Sequence, residues 1–460
     1  GTGKTTLLKE IIASNIVQLA EVLIKYGISG SNFVPRKVES TSNARYTEKY
    51  YEIPEEISKY GILVVSNNNG AVENITLDLP KSGDMEKDKT RTDYFDRKIN
   101  KEVYFSAVAD NLLGKEGGAW GLISARMGRK SYVTEVLESC VFAKKNDASD
   151  KVTLDLARED SISWDEAIDK FNVAKRKVLL LREGIKKDQK LLDDFYKEGE
   201  GLAKSKLDLK QLLIEKEQLN IKLNDVRTEL ESNEQETLEQ EGEIKYIKEH
   251  SSIFKKLLIL LGIGKIGRHV AEKQKYVDEL IINHEDIKRR YSLAVRNTEE
   301  VCGKIENQYS IISTLEKKVQ ILEEKVYGNN ESLKNKYKNN FADRNFYEAI
   351  KESENSQNAC PWTFDEYDMA SLQVRKAFIL ESPYIKRNLF VYEAYNNGKY
   401  TMEEKKEMFP HLFNSLSIVI PVLSSTFASV GKFLKHAGNM SLGMLIIDES
   451  GQAVPQSALG

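Results

Sequence analysis

Residues 1–6 read Gly-Thr-Gly-Lys-Thr-Thr, and Leu7, Leu8, Ile11 and Ile12 follow at helical spacing. Near the other end, residues 442–449 read Leu-Gly-Met-Leu-Ile-Ile-Asp-Glu. The unbroken apolar run Met444 to Ile447 suits a strand buried on both faces, as in a parallel sheet. It ends in two carboxylates at the edge where open α/β sheets place their ligands. A Gly-Lys-Thr turn that opens a helix, paired with such a strand, predicts an α/β fold built on a P-loop parallel sheet.

The chemistry accounts for the residue types. The phosphate-binding pattern is G-x-x-x-x-G-K-[ST], matched in its last part by Gly3, Lys4 and Thr5. Its first glycine and the strand before it are expected upstream of residue 1. Gly1, Thr2, Gly3, Lys4, Thr5 and Thr6 would form the cradle, with backbone N–H groups and the positive end of the helix facing phosphate oxygens. Lys4 would reach the β- and γ-phosphates of ATP, and the Thr5 hydroxyl would ligate Mg²⁺. Asp448 would hold the same ion, and Glu449 would polarise the attacking water. Alone, Gly-Lys-Thr also suits an ordinary glycine-rich turn, and Asp-Glu a solvated strand end. Their joint presence favours an ATP hydrolase.

Asp448-Glu449-Ser450-Gly451-Gln452-Ala453, followed by Pro455, Ala458 and Leu459, resembles motif II of the superfamily 1B helicases, the group around the nonsense-mediated-decay helicase. The resemblance implies that Gln452 sits near the γ-phosphate and couples nucleotide state to domain closure. Ser66-Asn67-Asn68-Asn69-Gly70-Ala71-Val72-Glu73-Asn74-Ile75 resembles motif Ia, which grips the backbone of single-stranded DNA or RNA. It implies nucleic-acid contacts at Ser66, Asn67, Asn68 and Asn74. An Asn-rich turn between strand and helix is the plainer alternative. Val419 to Val430 resembles the segment ahead of motif II. There Thr426 and Ser429 either contact nucleic acid or cap the next helix.

More loosely, Ala119 to Ile123 and Cys360-Pro361-Trp362 are similar to segments of bacterial members with inserted coils. Motif III and a second RecA-like domain with its arginine finger are expected beyond residue 460. This stretch alone is therefore expected to be poorly active.

Between the motifs, from about Trp164 to Val326, the chain is rich in Lys, Glu, Leu, Ile and Gln and has no proline. Leu209, Leu212, Leu219, Leu223, Val226, Leu230, Ile244 and Ile247 fall on one alternating three-four spacing, with polar Lys216, Asn233, Thr237 and Gln240 in the same stripe. Ile287, Tyr291, Ala294, Val301, Ile305, Ile312, Leu315, Val319, Leu322 and Val326 form a second stripe. Two such stripes predict an inserted antiparallel coiled-coil hairpin. Gly199 and Gly201 are expected to break its first arm. The implied division is 1–160 for the first part of the RecA-like domain, 161–340 for the hairpin, and 341–460 for the return. Within 1–160, residues 76–160 suggest a small accessory subdomain. The tip, residues 251–270, lacks acids and is rich in leucine, isoleucine and lysine. Its apolar residues either pack on one another or dock a protein, nucleic acid or anionic membrane.

Charge is nearly balanced, 68 basic against 71 acidic residues, so any nucleic-acid contact must rest on local features. The three cysteines and five histidines show no metal-ligand spacing. Free thiols and the lack of a transmembrane segment predict a cytoplasmic protein. An SMC-type ABC ATPase also threads a coiled coil between its two nucleotide motifs. That class needs a Leu-Ser-Gly-Gly-like signature before the acidic strand, where this chain has Ser-Ser-Thr-Phe-Ala-Ser-Val-Gly. An ATP-gated interaction scaffold is a third reading that the sequence leaves open.

Overall fold

The computed structural model describes residues 4–39, 47–81, 103–114, 118–142, 152–158, 161–329, 332–337, 366–396, 400–438 and 441–448. They form two compact units, Gly1–Glu183 with Asn355–Gly460, and Gly184–Glu354.

The first unit opens with α1 (Lys4–Tyr26), whose face of Ile12, Ile16, Leu19, Ala20 and Leu23 is fully buried. These residues recur every three or four positions, so one helical stripe meets the core. Gly27 stops the helix in the left-handed region, φ +69°, with its N–H on the Leu23 carbonyl. β1 (Pro35–Glu39) and β2 (Thr47–Tyr51) pair antiparallel, and the one-turn α2 (Glu55–Ser58) leads into β3 (Ile62–Ser66). Every residue of β3 is buried. α3 (Asn69–Asp78), α4 (Ser106–Leu113), β4 (Ser124–Arg126) and α5 (Lys130–Ser139) follow. After the long helices come α10 (Glu366–Glu381), α11 (Pro383–Asn396), α12 (Met402–Val419), β5 (Val422–Thr426), α13 (Phe427–Phe433) and β6 (Met444–Asp448).

β4, β5, β3 and β6 lie in that order in one sheet, every neighbouring pair parallel. β3 and β5 are central and buried, as continuous apolar strands covered by helices must be. β6 borders the sheet among the described residues, with Met444 and Leu445 exposed. Trp120, Leu122, Ile123 and Ala125 join the main core, and Trp120 Nε1 donates to the Leu79 carbonyl at 2.9 Å.

The entry into β5 is fixed by a buried cation. Arg375 of α10, fully buried, donates to the carbonyls of Ser417 and Ile418, and Tyr104 donates to that of Val419 at 2.7 Å. These are the last carbonyls of α12, which have no partners within the helix. Burial lowers the pKa of Arg375 and raises that of Tyr104, while their proximity partly offsets both shifts. A Thr401–Glu404 capping box closes the other end of α12.

α6 (Trp164–Glu249) begins in this core through Trp164, Ala167, Phe171, Ala174 and Val178. The division between units therefore falls at residue 183, well inside the helix.

The second unit contains the rest of α6, α7 (Ile253–Leu261), α8 (Gly264–Tyr327) and the short α9 (Leu333–Tyr337). Links between α6 and α8 run antiparallel: Lys206 to Glu316 at 2.8 Å, Gln308 to the Ser205 carbonyl at 3.0 Å, and Arg290 to both oxygens of Glu229. Tyr276 donates to Glu236 at 2.6 Å, and Lys273 to Gln240 at 2.7 Å. Each exposed pair adds little stability. The buried seam of Ile287, Val301, Ile305 and Ile312 contributes more. Asn233 is buried in the same region with its side-chain oxygen unpartnered. α6 runs unbroken through Gly199 and Gly201, against the expected interruption. Each glycine costs a helix only about 1 kcal/mol relative to alanine, too little to break one this long. No helix among the described residues is long and apolar enough to cross a membrane.

Candidate functional site

The carboxyl ends of the three adjacent strands β5, β3 and β6 form one row. In register, Ser66 lies between Thr426 on β5 and Asp448 on β6. Three segments distant in the sequence thus place a hydroxyl, a hydroxyl and a carboxylate side by side. Parallel pairing makes this unavoidable, since all strands end on one edge.

The chain after β3 is shaped by its polar residues. Asn68 caps α3, its side-chain oxygen accepting from the Gly70 N–H at 2.8 Å, and its own N–H donates to Ser66 Oγ at 3.3 Å. Asn67, Asn68 and Asn74 are exposed, and Ser66 is buried. Thr426 is half-buried at the N-cap of α13 but makes no side-chain capping bond there.

A cavity of about 560 Å³ opens between α1, α3 and the sheet. Leu7, Leu8 and Ile11 of α1 line it together with Asn68, Asn74 and Asp448. Lys4, Thr5 and Thr6 form the first turn of α1, immediately ahead of those lining residues. Gly1, Thr2 and Gly3, the side chains of Lys4 to Thr6, and Glu449, Gln452 and Cys360 to Trp362 lie outside the described residues.

A basic flank adjoins the row at β4. Arg126 reaches Glu73 and Asn69, each at 3.4 Å, and sits over the Tyr132 ring at 4.9 Å from its centroid. Arg129 approaches the same ring. Gly128 turns the chain between them at φ +106°, where a Cβ would meet Ser425 Oγ at 2.7 Å and Ser429 Cβ at 2.8 Å. The close approach needs glycine. Nothing in the local sequence marks Arg126, because a three-residue strand is too short to show a pattern. The Gly128-Arg129-Lys130 turn after it was the available signal. Behind the row, Thr76 bonds Ser424 across the buried face, and Ser124 donates to the Thr76 carbonyl at 2.7 Å.

Among the described residues no three His, Cys, Asp or Glu side chains gather to hold a metal. A magnesium ion delivered with a nucleotide needs fewer: one or two carboxylates, with phosphates and water completing its shell. Asp448 at the strand end, beside a helix that starts at Lys4, suits that donor set. Compared with models of protein families, with curated proteins and with solved structures, the chain matches none.

Proposed function

We propose that the chain carries the nucleotide-binding half of an ATP-driven helicase or translocase resembling superfamily 1B, a cytoplasmic protein acting on single-stranded DNA or RNA. In this reading the parallel sheet is a RecA-like P-loop domain, and α6 and α8 are its inserted coiled-coil hairpin. The observation that carries it is the row Thr426, Ser66, Asp448, whose Asp448 end lines a cavity with its other wall beginning just after Lys4.

Lys4 would neutralise the β- and γ-phosphates, and Thr5 and Asp448 would hold the magnesium ion that accompanies them. Glu449 would take the proton of the attacking water, and Gln452 would sense the γ-phosphate. Asn67, Asn68, Asn74 and Thr426 would meet the phosphate backbone, joined by Arg126 and Arg129. The buried Ser66, expected from the motif to join them, would instead hold the turn by accepting from the Asn68 N–H. Backbone contacts of this kind position a strand without reading its sequence, so weak sequence preference is expected.

ATP turnover by the complete protein, measured with and without single-stranded DNA and RNA, tests the reading. Turnover raised severalfold by either polymer supports it. Turnover indifferent to both would exclude a nucleic-acid motor.

A further inference from the structure

We propose that the hairpin tip, α7 with the start of α8, is a docking surface for an anionic phospholipid bilayer. This goes beyond the motor reading and does not depend on it.

α7 is a nine-residue helix, Ile253–Leu261, with no buried residue. Ile253 is 91% exposed, Leu260 82% and Phe254 70%. At 3.6 residues per turn, Ile253, Leu257, Leu260 and Leu261 share one face, with Phe254 at its margin. Leu258 and Ile259 point the other way, where Ile259 packs on the cluster of Ile244, Val270 and Val277. The helix therefore spends its smaller apolar side on the hairpin and turns the larger side outward.

This arrangement is built. Gly262 and Gly264 take φ +66° and +77°, and the Gly262 and Ile263 N–H groups close back onto Ile259 and Leu258. A Cβ on Gly267 would lie 2.5 Å from the Leu258 carbonyl oxygen, so only glycine lets α8 pass this close to α7. The outward face is held in place by backbone geometry.

Its charge selects the occupant. From His250 to Ala271 there is no acidic residue, while Lys255, Lys256, Lys265 and Arg268 are all exposed. Two tips meeting face to face would confront like charges, which opposes self-pairing. Nucleic acid would satisfy the lysines and leave the leucines in water. An anionic bilayer takes both: the apolar face enters the acyl boundary, and the long basic side chains reach up to headgroup phosphates.

The test is flotation of the full chain with phosphatidylcholine vesicles, with and without phosphatidylserine. Expected is binding that requires phosphatidylserine and weakens with salt. The Leu257→Glu/Leu260→Glu variant should lose it by at least about tenfold, as should Lys255→Glu/Lys256→Glu. Both alter exposed positions, so helical circular dichroism should not change. Failure to bind phosphatidylserine vesicles, or full binding by the leucine variant, overturns the proposal. So does a tip-dependent dimer, or capture of single-stranded RNA or DNA through the tip in place of lipid.

Discussion

The sheet edge and the hairpin tip present their chemistry in opposite ways. The edge collects Ser66, Thr426 and Asp448 from three remote segments, so it exists only when the strands pair. The tip is one continuous stretch, Ile253 to Arg268, whose geometry is fixed by its own glycines. A site assembled by topology is as fragile as the fold that assembles it. A site made by one short turn depends on that turn and on the small cluster of Ile244, Val270 and Val277 on which Ile259 packs.

The largest effect expected from breaking this contrast is at Arg375. Arg375→Leu strands the carbonyls of Ser417 and Ile418 in the core and should cost on the order of 3 kcal/mol. Denaturant unfolding followed by near-ultraviolet circular dichroism should show the sheet unit melting earlier. Most of the helical signal, which α6 and α8 dominate, should persist. Gly267→Ala tests the tip in the converse way. It forces α8 away from Leu258 at about 1–3 kcal/mol, read as faster amide exchange in α7 with the sheet unit unchanged.

A smaller change sharpens the hairpin account. Asn233→Leu removes a buried oxygen that has no partner and should stabilise the hairpin by about 1 kcal/mol. It should also loosen the choice of register, visible as heterogeneous cross-linking between the arms. The smallest effect belongs to pH. His411 accepts the Ile53 N–H at 3.1 Å, and burial holds its pKa below the ordinary histidine value. A group whose folded pKa is depressed binds more protons when unfolded, so stability is full above about pH 6.5 and falls as pH drops below it. In thermal melts His411→Gln should flatten that decline.

The sequence was most readable where one segment speaks for itself. The apolar run ending at Asp448, the strand ending at Ser66 and the acid-free tip each carry their signal within a few neighbours. The row of Ser66, Thr426 and Asp448 was less readable, since pairing order depends on the whole chain. Arg126 sits on a strand of three residues and is signalled only by the Gly128-Arg129-Lys130 turn after it, while the Arg375–Tyr104 cap joins segments far apart and leaves no local trace. The glycines at 199 and 201 mislead for a different reason. Propensity counts them as breaks, but the surrounding helix outweighs two small local costs.

In the proposed reading the start of α1 and the end of β6 act on one magnesium nucleotide. The decisive experiment compares ATP turnover by the complete protein with that of Lys4→Ala, Asp448→Asn and the double variant. Groups acting as one unit are not additive. Each single change should abolish nearly all turnover, and the double should be no worse than either. Substantial turnover in either single variant, or losses that multiply in the double, would contradict the account.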